Sequence, residues 1–531
     1  MYQDNSKQRF GYDTIIIIVG IFILLFHLID NPSLWGDEIA LALNIVKYDL
    51  PTLLTTPSLD YLQSAPPGYL FFVKIFSYLG PHDWCLRLAA TLATAFAFWT
   101  FNKLLKLLFE AYWLRCVVLL LFVASPTVLF HGVELKQYAF DLLANTLLLH
   151  AVVHFLQQLR PTLKDYGYLA AVGLGGVWFS NALYFSLAGL GILLFVKQWQ
   201  KKTIDKLLWV VLGAWVLGIL ANYVLCVLPN KNVAGFVVFW QAEFPPLPVS
   251  AAGLRWYFLR IFFLFDNAFG LSSPLSLFVK VSPKWSFLLC FNYAAFALVL
   301  LGLWHLWRQK KWLLGIFTLP LLVAYALALL QKYPFYERFL LFYTPALYAI
   351  IGYGLWWCWQ NGGRWAAQVA TFLLLLYPLS TTLWAVLKPN TFALYEGYNY
   401  GNLREVFTHI STQKQPNDRV YLVKSLYYGH LYYNQQQRYP WQPIMDQRTE
   451  QHANEQDYLR GIEAQVTQAL APLGRCFFVC TTANKARYFT PQPTVLPYKE
   501  EEAFVQSMKK HGRILSTFGG LDANVYLVVA K

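Results

Sequence analysis

Two adjacent carboxylates, Asp37 and Glu38, lie in the stretch LWGDEIALALNI at 34–45, just past a first apolar run at 14–29. Acids beside lipid are costly to hold and are kept where they bind or react. A carboxylate in this place can act as general base on an acceptor hydroxyl or amine. It can also ligate a divalent cation; which metal, and whether any, the residues leave open. The plainer reading of the same pair is an interfacial acid that only orients its loop.

Three more stretches carry side chains able to hold a substrate. In QSAPPGYLFF at 63–72, Pro66 and Pro67 fix an extended approach to a half-length apolar segment, and Tyr69 follows. In HGVELKQYAFD at 131–141, Glu134, Lys136 and Tyr138 alternate along a turn between two apolar runs. Lys136 is a candidate ligand for phosphate or partner for Asp37. In QKYPFYERFLLFYTPALY at 331–348, Arg338 opens an apolar run behind Tyr333, Tyr336 and Glu337. An Arg at that depth among aromatics suits a lipid-linked phosphate. The plainer readings are helix-start punctuation, a polar turn and an interfacial anchor paired with Glu337. His150 and His154 are spaced like a metal pair on one helix face. No carboxylate or Cys is near them in sequence, and core or interfacial histidines fit better. The GLGG at 173–176 follows no strand, so close helix packing explains it.

The elements that must position these residues are membrane spans. The chain has 531 residues, 57% hydrophobic and 13% charged, about half the charge of a soluble protein; mean hydropathy is +0.40. Spans are expected at 14–29, 84–101, 112–130, 135–157, 166–180, 182–196, 207–228, 286–306, 312–330, 339–357 and 365–387. Segments 66–79 and 256–270 are short or broken and read as interfacial, so the total is 11 to 13. The first run lacks a small-residue cleavage site and reads as a span, not a signal peptide. Lys103, Lys106, Arg115, Lys197, Lys201, Lys202, Lys206, Arg308, Lys310 and Lys311 belong on the cytoplasmic side, with Lys7 and Arg9. Loop 30–65, the turn at 131–136, loop 229–255, the turn at 331–338 and all residues from 388 then share the outer side. Within loop 30–65, IALALNIV reads as a short amphipathic helix lying on the membrane.

The net charge of +14 fits these basic loops and carries no aromatic-interleaved basic face, which excludes nucleic acid. Cys476 and Cys480 in CFFVC are separated by ~13 Å of extended chain, too far for a mutual disulfide. All seven cysteines read as packing residues.

From about 388 the composition turns polar. Helix-like stretches at 401–413, 455–471 and 500–510 alternate with strand-like runs at 419–424, 476–481 and 524–530. The fold class is therefore an α-helical polytopic membrane protein with a small C-terminal α/β soluble domain. Residues 1–387 form the membrane domain, including loop 30–65, and 388–531 the soluble one.

In this order and spacing, the four stretches resemble the membrane glycosyltransferases of the GT-C superfamily. The branch is the bacterial one related to dolichyl-phosphate-mannose protein mannosyltransferases and the lipid A aminoarabinose transferase. WGDE matches its acidic motif, APPGY its Pro-Pro-x-Tyr-like approach, ELKQY its Glu-x-Arg-x-Tyr-like turn, and ERFLLFYTP its late Arg-Tyr-like span start. NLREVFTHI and PNDRVYLV in the soluble part are similar to this branch as well. Lys136 stands where Arg is usual and Phe339 where Tyr is common.

The resemblance implies a GT-C-like glycosyltransferase that moves a sugar from a polyprenyl-phosphate donor to a lipid, glycan or protein acceptor, with inversion. It makes Asp37 the catalytic acid, with Glu38 beside it. It makes Arg338 a donor-phosphate contact, with Glu134, Lys136, Tyr138, Tyr336, Pro67 and Tyr69 in the substrate site. It also implies a bacterial inner-membrane protein whose site and soluble domain face the periplasm or outside. A flippase or carrier of lipid-linked sugars is the alternative. It needs ionisable residues along a path through the bilayer, and the expected spans hold few. A non-catalytic scaffold is the third possibility.

Overall fold

The computed structural model describes residues 11–30, 32–200, 205–247, 250–277, 291–388, 393–395, 398–399, 401–435, 438–448, 451–471, 474–482, 485–490, 492–520 and 522–531. Lys7, Arg9, Lys201, Lys202 and the start of the span expected at 286–306 lie outside the described residues. The chain divides into two compact units. One comprises residues 1–29 and 48–387, the other residues 30–47 and 388–531.

The first unit is helical, and each expected span coincides with a helix or helix pair. Among the described residues, seven helices are long and apolar enough to cross a membrane. They become eight if the pair Tyr112–Val123 and Pro126–Gly132, bent by 53°, is one span. The bend falls where Pro126 removes a backbone donor and crowds the preceding turn. The expected spans at 166–180 and 286–306 appear as the shorter helices Leu163–Gly176 and Tyr293–Gln309. Segments 66–79 and 256–270 form the short helix Pro67–Ser77 and the helix Ala251–Phe263, which continues as a π-turn.

Small residues set the helix approaches. A Cβ on Gly302 would fall 2.0 Å from the Ile350 carbonyl oxygen, and one on Gly354 2.1 Å from that of Leu298. Helices Tyr293–Gln309 and Thr344–Asn361 are therefore in backbone contact, as small-residue seams allow. Gly173 of the GLGG run sits under Trp215, whose Nε1 would lie 2.1 Å from an added Cβ. His150 and His154 bind no common partner. The first meets the Tyr168 hydroxyl at 3.1 Å and the second the Asp165 carboxylate at 3.1 Å, so both tie helix Tyr138–Gln157 to Leu163–Gly176.

The second unit is built on a five-stranded sheet in the order Ile444–Met445, Arg419–Leu422, Arg475–Thr481, Ala523–Ala530, Gly512–Gly519. The first three strands are parallel and the last two antiparallel to their neighbours. Helices Leu403–Gln413, Glu455–Leu470 and Glu500–His511 match the expected ones. The edge strand Gly512–Gly519 is mostly exposed, and its GRILSTFG sequence lacks the apolar alternation that marks a half-buried strand. Cys476 and Cys480 are buried and free.

Residues 30–47, expected to belong with the membrane domain, cluster instead with the soluble unit. IALALNIV lies in the helix Gly36–Lys47, whose residues Glu38 to Ile45 are all buried. A helix buried on every face is a packed core element, not one floating on lipid. It packs on the helix Tyr427–Tyr433.

Candidate functional site

In the membrane unit, the residues singled out from the third and fourth stretches come together. The turn after helix Pro126–Gly132 is closed by the Lys136 amide donating to the Glu134 carbonyl at 2.8 Å. Glu134 Oε2 meets His131 Nδ1 at 2.6 Å, with the two side chains 2% and 1% exposed. Buried ionisable groups persist only when so paired. Glu134 is thus engaged in holding the turn.

Lys136 Nζ donates to Gln63 Oε1 at 2.7 Å. Gln63 sits in a loop that Asn232 staples, its Nδ2 donating to the carbonyls of Leu59 and Gln63 at 2.8 and 3.0 Å. Just before it, Tyr61 and Leu62 both have left-handed backbone, φ 60° and 56°. Non-glycine residues rarely hold that conformation, and consecutive ones mark a loop held in place by its surroundings. After it, Pro67 opens the helix Pro67–Ser77. The Gly68 amide donates to the Trp178 carbonyl at 2.8 Å, and a Cβ there would strike the Phe179 ring at 2.5 Å. Tyr69 is fully buried, edge-on to Phe140. The APPGY stretch therefore shapes the loop that delivers Gln63 to Lys136. Pro67 and Tyr69 are placed as its supports.

Arg338 lies in the short 3₁₀ helix Glu337–Tyr343 and is 7% exposed. Its guanidinium carbon stands 5.7 Å from the Tyr138 ring, 5.4 Å from Trp240 and 5.9 Å from Phe339. Trp240 packs at 5.1 Å on both Phe339 and Tyr336, and Tyr138 edges onto Phe339 at 6.1 Å. A guanidinium among aromatic faces is held by cation–π attraction, and its planar fork suits an anion. Phe339, where Tyr is common in the similar family, completes this box as an apolar wall. Glu337, the partner that the plainer reading gave Arg338, accepts from Asn267 Nδ2 at 2.6 Å.

A second guanidinium lies alongside. Arg260 Nη2 donates to Glu243 Oε2 at 2.5 Å and its head stands over Trp256 and Tyr336. Trp240, Glu243, Arg260, Gln63 and His131 were not singled out from the sequence. Arg260 had a signal there, an Arg amid the apolar residues of 256–265.

In the soluble unit, Asp37 and Glu38 occupy the first turn of the helix Gly36–Lys47, where carboxylates favour the helix dipole. Glu38 is buried, and its Oε2 accepts from the Trp35 amide at 3.1 Å. The Ile39 amide donates to the Trp35 carbonyl, so Glu38 is the reach-back half of a capping box. Asp37 is half-buried. The approach to the helix is fixed by the Leu34 amide donating to the Tyr433 hydroxyl at 2.7 Å. Ser33 Oγ donates to Glu405 at 2.7 Å and accepts from the Arg404 amide at 3.0 Å. Asp522 lies by the same backbone, its Oδ2 3.1 Å from a Cβ built on Gly401 and the Ser33 carbonyl 2.8 Å from it. Burial and the neighbouring Glu38 carboxylate push the Asp522 acid up to about 6. Among the described residues no three His, Cys, Asp or Glu side chains stand close enough together to hold a metal ion.

No family model matches the chain, and no curated protein matches it in sequence. Solved structures do. ArnT from Cupriavidus metallidurans bound to undecaprenyl phosphate aligns over 97% of each chain with TM-score 0.50 and 11% identity. The apo form of the same protein gives TM-score 0.49 at 12% identity over 97% of each chain. The archaeal oligosaccharyltransferase AglB from Archaeoglobus fulgidus, with an inhibitory peptide and dolichol-phosphate, gives 0.45 at 12% identity, over 88% of this chain and 69% of that one. The ArnT likeness is one of fold: the chain has the GT-C-like fold expected from its sequence.

Proposed function

We propose that this chain, which has the fold of ArnT, is an integral-membrane glycosyltransferase using a polyprenyl-phosphate sugar as donor. The observation that carries the reading is Arg338, a buried guanidinium boxed by Tyr138, Trp240 and Phe339. Such a site binds one phosphate oxyanion and lets an apolar tail leave along aromatic walls. Lys136 and Arg260 add positive charge, which stabilises a phosphate leaving group as it departs.

In this reading Asp37 receives the proton of the acceptor hydroxyl or amine. The acceptor atom forms a bond to the anomeric carbon from the face opposite the phosphate. The bond from that carbon to the phosphate oxygen breaks, the configuration inverts, and the polyprenyl phosphate stays in the membrane. Glu38 caps the helix that holds Asp37. The outer face of a bacterial inner membrane is the setting proposed, on the side that the basic loops leave for Asp37, Lys136 and Arg338 alike.

The test is sugar release from polyprenyl-phosphate donors by purified wild type, Asp37→Asn and Arg338→Ala. Wild-type release that both substitutions cut at least a hundredfold is the expected result. Equal release by Asp37→Asn overturns its role. Movement of intact donor across vesicles without sugar release supports a lipid-sugar carrier instead.

A further inference from the structure

The soluble unit carries a second concave site that the transfer chemistry does not use. It is a groove of about 630 Å³ lined by Arg404, Thr408, His409, Arg438, Tyr439 and Phe518, among others. That volume lies within the roughly 300–1,000 Å³ of small-molecule sites. Its walls are the helix Leu403–Gln413 and the strand Gly512–Gly519. His409 and Phe518 stack face to face across the seam, with ring centroids 4.1 Å apart and planes at 4°. Phe518 nevertheless remains 39% exposed, so the stack offers a flat apolar platform to solvent.

The polar groups around this platform are of two kinds. Arg404 and Arg438 bring two guanidiniums to a groove that holds one acid, Glu405. Glu405 is already engaged by Ser33 and by Arg404, at 2.7 and 3.1 Å. Arg438 is exposed and, among the described residues, makes no ion pair. The Thr408 and Thr412 hydroxyls donate to the carbonyls of Arg404 and His409. Thr408 also meets the Tyr439 side chain, and the lone pairs of Thr412 can accept from a ligand hydroxyl. A flat platform for ring C–H groups, acceptors for hydroxyls and guanidinium forks for an anion are complementary to a sugar that carries a carboxylate or phosphate.

The groove is also joined to the segment bearing Asp37. Ser33 binds both the Arg404 amide and the Glu405 carboxylate, and lies four residues before Asp37. We propose that this groove binds an acidic saccharide and is the docking subsite for the non-reacting part of a glycan acceptor. The word acceptor rests on the transferase reading, whereas the binding itself does not.

The experiment uses the full-length protein in detergent and titration calorimetry with four probes. These are a hexuronate-containing tetrasaccharide, the same tetrasaccharide with its carboxylates reduced to alcohols, a hexosamine disaccharide phosphate, and inorganic phosphate. At least one charged saccharide is expected to bind ten times more tightly than both the reduced saccharide and inorganic phosphate. The preferred charge identifies a uronate or phosphate ligand. Arg438→Ala and Phe518→Ala, both at exposed positions, are each expected to weaken that binding at least tenfold. The proposal is overturned if neither charged saccharide outbinds the reduced one, if phosphate alone binds as tightly, or if both variants bind like wild type. Donor sugar release is measured on the same preparations. Release without saccharide binding defeats only this proposal, and binding without release defeats only the transferase reading.

Discussion

The hydroxyl of Ser33 donates to the carboxylate of Glu405 at 2.7 Å, joining two residues 372 positions apart. The same oxygen accepts from the Arg404 amide at 3.0 Å and is fully buried. Ser33→Ala removes both hydrogen bonds; Glu405 is 46% exposed and finds water instead, so the cost is about 0.5–1.5 kcal/mol. The soluble unit should melt several degrees lower, at roughly 2–4 °C per kcal/mol for its size. Sugar transfer should fall while the donor KM stays put, because the loosened segment carries Asp37 and not the phosphate site. An unchanged melting temperature contradicts the role given to this bond.

Arg338 is expected to separate charge from shape. Arg338→Lys keeps the cation but loses the planar fork, whose carbon stands 5.7 Å from the Tyr138 ring and 5.4 Å from Trp240. The donor KM should rise at least tenfold in Arg338→Lys and further in Arg338→Ala. Steady-state kinetics over a donor series checks it. Equal KM in the lysine variant and wild type would mean that charge alone suffices.

Helices Tyr293–Gln309 and Thr344–Asn361 should part when their glycines gain a methyl. Each added Cβ meets backbone, at 2.0 Å for Gly302 and 2.1 Å for Gly354, and backbone cannot rotate away. Gly302→Ala and Gly354→Ala should each cost more than about 2 kcal/mol, at the upper end of overpacking effects. Gly213→Ala, where nothing lies within 4 Å, should cost almost nothing. Thermal stability of the three variants in detergent decides the matter.

Asp522 gives the soluble unit a pH dependence with a definite sign. Its acid titrates at about 6 when folded and near 3.8 when unfolded. A raised folded value means that the folded form binds the proton more tightly, so the penalty is full above about pH 6. It is relieved as the pH falls toward 3.8. Asp522→Asn should therefore stabilise the unit at pH 7. The gain is at most about 3 kcal/mol, from about 1.36 kcal/mol for each pH unit between the two titration points. It should shrink through pH 6 and vanish near pH 4. Melting curves at pH 4, 6 and 7.5 test this, and a gain independent of pH would assign the effect to something other than titration.

Seven helices of the membrane unit were legible because each is a long apolar run, and a bilayer-sized run is the strongest signal a sequence offers. Arg338, Lys136 and Tyr138 were legible for the opposite reason: charge and aromatic edge where the surroundings are apolar. Trp240 was hidden because a single Trp among FVVFW reads as interfacial padding. Its importance depends on a partner 98 positions away. Gln63 was named only as the start of a stretch, since a neutral amide shows nothing until its lysine is found. The strand Gly512–Gly519 was missed because an exposed edge needs no apolar alternation. The setting of Glu38 was missed because residues 30–47 were read with their sequence neighbours, whereas they pack with a unit that starts at Lys388.

That last arrangement imposes an order of assembly. The segment Asp30–Lys47 leaves the ribosome early, directly after the first long helix, yet its packing partners are made last. While the intervening helices are being made, its partners in the second unit do not yet exist. The acid proposed to do the chemistry is therefore put in place only after the residues from 388 onward have been made. A copy interrupted before Lys388 would carry the long apolar helices but leave the helix that bears Asp37 without its packing partners.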